Sequence, residues 1–160
     1  MLIRTLDPSE APLVAALYRE APDYWLLAEG SVNPDRQAAE FFTDGPPGCD
    51  PTLSHHLGLF VNGRLSGVAE VSFGFPEPQD AYLGLMLIGH WAQGAGHGRS
   101  FLAHVETLAR NRNAARLYLA VLDANPRGWA FWQREGFSPT GLSRKDPDTG
   151  HILHRLVKDL

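Results

Sequence analysis

The residues with the most chemical content are Gln93-Gly94-Ala95-Gly96-His97-Gly98-Arg99. An unbroken apolar run, Leu83 to Gly89, precedes them, and a helix-period pattern of Phe101, Leu102, Val105, Leu108 and Ala109 follows. Strand, glycine loop and helix in that order can cradle a phosphate. Glycines let the backbone approach an anion with no Cβ in the way, and a helix start offers free N–H groups and partial positive charge. A tight glycine turn with no ligand is the alternative. A dinucleotide fingerprint needs glycine at its sixth position. Counted from Gly94 that position is Arg99, and from Gly96 it is Phe101, so the fingerprint is absent. No Gly-Lys-Ser or Gly-Lys-Thr triplet is present to end a Walker loop.

What remains is Gln-x-x-Gly-x-Gly, carried by Gln93, Gly96 and Gly98. A second pattern lies downstream: Asn125, Gly128, Phe131, Trp132, Gly136 and Phe137. Together they resemble the GNAT superfamily of N-acyltransferases. Its acyl-CoA loop has the first pattern, and its chains commonly carry Asn-x-x-Ala-x-x-(Leu/Phe)-Tyr-x-x-x-Gly-Phe at the second. Gly128 stands where the family has alanine, and Trp132 where it has tyrosine. The likeness covers about residues 56 to 140 closely and the flanks by layout. It implies a mixed α/β sheet flanked by helices, with an acetyl-CoA cleft between two parallel strands.

Acyl transfer from a thioester to an amine meets two obstacles. An amine of pKa about 10.4 is a free base in only about one molecule in a few thousand at pH 7, so a base or a desolvating site is needed. The oxyanion that develops wants a fixed donor about 3 Å away. By the resemblance, that donor is backbone N–H at Leu87–Ile88, with Ile88 the named candidate. The same strand holds the pantetheine arm, and Gln93, Gly94, Ala95, Gly96, His97, Gly98 and Arg99 hold the diphosphate. Asn125, Phe131 and Trp132 complete the cofactor set. Asn125 reads equally as an N-cap before Pro126. Indole does not ionise usefully near neutral pH. Trp132 therefore cannot act as the acid that the family's tyrosine often provides, and packing in the cleft wall is its expected role.

Three residues are candidate bases. Glu70, mid-strand with Val68 and Ser72 on its face, either points into the cleft or is a solvated edge residue. Tyr82 could relay a proton through water. His90 has the most suitable unperturbed pKa, but lies near the expected diphosphate. The acidic-aromatic cluster Asp23-Tyr24-Trp25 lies where the family builds substrate specificity, and would suit a cationic amine. Anchoring of the helices is its structural alternative. His55 and His56 are adjacent, so on a strand they point apart, and His151 and His154 have a similar difficulty; no metal site is expected.

These residues need a scaffold. A chain of 160 residues with 44% apolar content is expected to be one domain, 1–160. No apolar run reaches the roughly 20 residues of a membrane span, and the N-terminus lacks a signal-peptide layout. One cysteine, Cys49, fits a reducing cytoplasm. Net charge −4 disfavours nucleic acid as a partner and is compatible with a cationic amine. Helices are expected from Asp7-Pro8, with Leu13, Val14, Leu17 and Tyr18 on one face, and from Asn33-Pro34 to Phe42. Strands are expected at 57–61 and 64–73 around an Asn62-Gly63 turn. The runs 83–88 and 117–122 read as parallel strands, each buried on both faces, joined by a helix from Gly98 to Arg112. A short helix at 127–134 and a final antiparallel pair turning at 146–150 complete the chain. The expected activity is acetyl transfer from acetyl-CoA to a small-molecule primary amine. The rivals are a protein N-terminal or lysine acetyltransferase and a non-catalytic acyl-CoA-binding module. A homodimer is compatible with the apolar tail strand.

Overall fold

The computed structural model describes residues 1–160. Strand β1 is Leu2–Thr5, followed by helices α1 (Ala11–Glu20), α2 (Asp23–Glu29) and α3 (Pro34–Thr43). Strands β2 (His55–Val61), β3 (Arg64–Phe73) and β4 (Asp80–Ile88) form an antiparallel meander. Helix α4 (His97–Asn111), strand β5 (Arg116–Leu122), helix α5 (Pro126–Arg134), and strands β6 (Ser138–Lys145) and β7 (Ile152–Asp159) follow. The seven strands make one mixed sheet in the order β1-β2-β3-β4-β5-β7-β6.

Local chemistry accounts for most boundaries. Asp7 and Glu10 form a capping box on a short 3-10 turn that leads into α1. Asn62 and Gly63, at φ 51° and 76°, make the β2–β3 turn with both central residues left-handed, which matches the twist of the strands. Helix α2 was not expected. Asp23, Tyr24 and Trp25 open this helix rather than a loop, and Gly30 at φ 76° ends it. In α1, Val14, Leu17 and Tyr18 are buried as expected, whereas Leu13 is exposed.

Two apolar cores lie on opposite faces of the sheet. One packs Phe101, Leu102, Val105 and Ala109 of α4 on Leu57, Val71, Leu83 and Leu119. The other packs α1 and α3, through Val14, Tyr18, Phe41 and Phe42, on Val68 and Leu87. No helix is long and apolar enough to cross a membrane.

The decisive feature is where the sheet fails to close. Strands β4 and β5 pair in parallel only at Asp80–Arg116, Ala81–Leu117 and Tyr82–Tyr118. Beyond Tyr82 they part. Their continuous apolarity led to an expectation of burial on both faces. Instead Gly84 and Ala120 are exposed, and Leu85, Met86 and Ile88 are half-buried, because these residues line the opening. The run is apolar because it walls a cleft.

Candidate active site

A cavity of about 660 Å³ fills the gap between the parted strands. Its walls are Leu83 to Met86 and Ile88 of β4, Leu119 to Leu122 of β5, and Asn125, Phe131 and Trp132 on the α5 side. One end is closed by Gln93, Gly94, Gly96, Gly98 and Arg99. Gly94 and Gly96 take φ 79° and 82°, a left-handed conformation that costs other residues about 1–2 kcal/mol. Gln93 Nε2 donates to Ile88 O at 2.9 Å, which ties the loop to the end of β4. The consequence is a row of backbone donors: the N–H groups of Gly94, Ala95, Gly96, His97, Gly98 and Arg99 have no acceptor within the chain. Consecutive free N–H groups at the start of a 15-residue helix form a cationic nest for an anion. Arg99, Arg127 and Arg134 line the same cavity, so the residues present suit a diphosphate on an apolar arm.

Gly98 has a different role from the other two loop glycines. A Cβ there would lie 3.2 Å from Phe131 Cε1, so Gly98 lets α5 pack on the start of α4. Asn125 caps α5, its Oδ1 accepting from Gly128 N at 3.0 Å, while also lining the cavity. A Cβ at Gly128 would sit 2.5 Å from Asn125 Nδ2, which accounts for glycine in place of the family's alanine. Trp132 meets Phe131 and Phe137 edge-on, with centroids 4.9 and 5.5 Å away.

A second cavity, of about 530 Å³, lies on the α1–α3 side of the sheet and is lined from α1, α2, α3, β3, β4 and the β6–β7 hairpin. Tyr24, Gly84, Leu85, Ala120 and Leu153 line both cavities, so the two meet at the middle of β4. At that junction the β3–β4 register slips. Glu70 pairs with Leu85 and Val71 with Leu83, which leaves Gly84 as an unpaired bulge residue. The Glu70 carboxylate lies directly over it, and a Cβ at Gly84 would run into Glu70 Oε2.

Glu70 is 5% exposed, which excludes the solvated-edge alternative. Ser72 Oγ donates to Glu70 Oε1, and Ser54 Oγ lies 2.8 Å from Ser72 Oγ. Burial pushes the Glu70 pKa up to about 7, against the lowering effect of these hydroxyls. A carboxylate poised near neutrality suits general base work. Tyr82 lines the second cavity, its pKa raised by burial against the lowering effect of Arg155 and Arg144.

Several expectations need correction. His90 is exposed, lies in a 3-10 turn against Trp91, and lines neither cavity. Leu87 directs its side chain into the α1–α3 core, which leaves only its main chain for the role expected of it. Ile88 lines the cleft but is four residues beyond Gly84, about 13 Å along a strand. It sits toward the glycine-loop end of the cleft, where its carbonyl holds Gln93. Asp23 lines neither cavity, whereas Tyr24 and Trp25 do contribute walls. Ala95 and His97 supply free N–H groups without lining the cavity. His55 and His56 point to opposite faces, toward Phe73 and toward Phe41 and Phe42 respectively. Sequence reasoning missed Gly84, Tyr18, Arg127, Arg134, Arg144 and Arg155. Only Gly84 carried a usable signal, as an isolated glycine inside an apolar strand, the mark of a bulge or close approach.

Comparison with known proteins agrees with this geometry. The acetyltransferase (GNAT) family matches residues 14–137. An acetyltransferase from Thermus thermophilus is 27% identical, with a TM-score of 0.75, and the match covers 100% of this chain and 98% of that one. A ribosomal-protein-alanine N-acetyltransferase from Brucella melitensis superposes at 0.73 with 21% identity over 100% of both chains. An IAA acetyltransferase from Bacillus cereus superposes at 0.68 with 16% identity, covering 99% of both chains. No curated protein matches. The last two structures share the fold while differing in what their names say they acetylate. The family match spans most of the chain, both motifs sit on the cleft, and the fold is shared from end to end: the chain belongs to the GNAT family of acetyltransferases.

Proposed function

We propose that this protein moves an acetyl group from acetyl-CoA to the primary amine of a small molecule by direct attack, with Glu70 as the general base. The observation that carries the reading is the Glu70 carboxylate over Gly84, at the point where the two cavities meet. Acetyl-CoA supplies an activated thioester when bound. The free N–H groups of Gly94 to Arg99, with the side chains of Arg99, Arg127 and Arg134, would hold its phosphates. The unpaired edges of β4 and β5 beyond Tyr82 would hold its arm. Glu70 would accept the amine proton, and the bulged backbone at Gly84–Leu85, beside that carboxylate, replaces Ile88 as the candidate oxyanion donor. Tyr82, on the acceptor side, is one phenol available to relay a proton, since Trp132 cannot, and Tyr24 at the junction of the cavities is another.

A small acceptor is favoured over an extended peptide by the roof of the second cavity. Helix α2 and the β6–β7 hairpin both line it, and the ring Nε2 of His151 in the hairpin turn lies 2.8 Å from Leu27 O in α2. That tie joins α2 to the hairpin, two of the elements that bound the cavity. The lone Cys49 fits a cytoplasmic location. The test is release of coenzyme A thiol from acetyl-CoA with polyamines, aminoglycosides, amino acids and peptide N-termini. Release with small amines supports the reading. Release with peptides alone would transfer it to the protein-directed rival, and tight acetyl-CoA binding with no release would leave a binding module.

A further inference from the structure

The acceptor cavity holds opposite charges that do not meet. On one side Glu70 is bound only to a serine hydroxyl, and Asp44, at the end of α3, has neither an ion pair nor a side-chain hydrogen bond. The neighbouring Glu29 and Glu40 are occupied by Arg36, and Glu29 also by Gln37. On the other side, Arg144 of β6 and Arg155 of β7 line the same cavity, and neither has an ion pair. Arg155 stands opposite Ala120, which lines both cavities, and its guanidinium lies 5.2 Å from the Phe75 ring centroid. Phe75 in turn meets Tyr82 edge-on at 5.2 Å. Tyr82 lines the cavity together with both arginines and Glu70.

Two more polar atoms in this wall are orphaned. Tyr18 Oη and Trp25 Nε1 are buried with no hydrogen-bond partner, although Tyr18 is 0% exposed. Both are shut off from the cavity space, so the charged groups alone carry the argument. Unpaired guanidiniums are built for planar, two-oxygen anions.

We propose that the acceptor is an amino-acid-like ampholyte: its amine attacks beside Glu70, and its carboxylate, or an anion of similar shape, sits on Arg155 and Arg144. This rests on the acetyltransferase reading above and narrows its substrate class. Polyamines and other pure cations lack the group that would match the arginines, and would leave both of them unsatisfied.

The test compares kcat/KM, read as coenzyme A thiol release, for free amino acids against their carboxamides and their carboxyl-free amines. In the wild type the free amino acids should exceed both analogues on the order of 10- to 100-fold, the factor expected for hydrogen bonds to a charged group. In an Arg144→Gln, Arg155→Gln double variant that ratio should fall toward one, with KM carrying most of the change. Equal rates for the three series in the wild type overturn the proposal while leaving the acetyltransferase reading intact. A ratio that survives the double substitution overturns it as well. If none of the three series releases thiol while a polyamine or aminoglycoside does, the proposal alone falls; if no amine of any kind releases it, despite acetyl-CoA binding by calorimetry, the acetyltransferase reading is refuted as well.

Discussion

Replacing Glu70 by glutamine separates catalysis from stability, because the same burial drives both. The Glu70 pKa stands at about 7 rather than 4.5, chiefly through burial. In the folded chain the carboxyl therefore holds a proton over a pH range where the unfolded chain has lost it. Stability falls as pH rises through that window, from about 4.5 to about 7, and the full penalty applies above it. The rise corresponds to about 3 kcal/mol against the ionised native form. The substituted amide would keep an oxygen to accept from Ser72 and would never ionise. Above pH 7 the Glu70→Gln variant should therefore melt roughly 6–12 °C higher than wild type for a chain of this size, as an upper bound, because the amide NH₂ needs an acceptor of its own. Below about pH 4.5 the two curves should converge. Turnover should move the opposite way: kcat/KM should drop on the order of 10²- to 10⁴-fold, and the wild-type rise in rate through pH 7 should flatten. Calorimetric melting at several pH values and a thiol-release pH profile read the two arms. A variant that keeps the wild-type pH profile, or shows no gain in stability at alkaline pH, would refute the reasoning.

Three further outcomes follow from the same geometry. Gly84→Ala puts a methyl where Glu70 Oε2 lies; it should lower kcat at least about 10-fold and cost about 1–3 kcal/mol by denaturant melting, and full activity would mean that the carboxylate is not held there. Gly96→Val must adopt φ near 82°; calorimetry should show coenzyme A affinity weakened on the order of 10-fold, and unchanged affinity would remove the loop from the cofactor site. Trp132→Phe should keep kcat within about 3-fold while losing about 1–2 kcal/mol of stability from its contacts with Phe131 and Phe137. A collapse of turnover without a stability change would assign Trp132 a chemical role.

Much of the fold was legible because its signals are local. A turn needing two left-handed residues writes Asn62-Gly63 into the chain, and the cap of α5 writes Asn125-Pro126. The glycine loop was legible for the same reason: positive φ at Gly94 and Gly96 demands glycine whatever lies around it. Helix α2 was missed because its seven residues are rich in aromatics and none is buried, so no apolar stripe marks it.

Residue order alone therefore determined most of the strand and helix sequence, β1 and α2 excepted, together with the glycine nest and the family likeness. Each of these depends on backbone conformation within a few residues, and residue type sets that directly. Tertiary structure alone decided which apolar strand faces are cleft walls, because that depends on β4 and β5 ceasing to pair after Tyr82. It also put Glu70 in the cavity wall and left His90 outside, through a register slip that sets a β3 carboxylate on a β4 glycine. The facing of Arg155 and Glu70 across one cavity has the same origin. They are 85 positions apart in the chain, and only the order of strands across the sheet brings them to a common space.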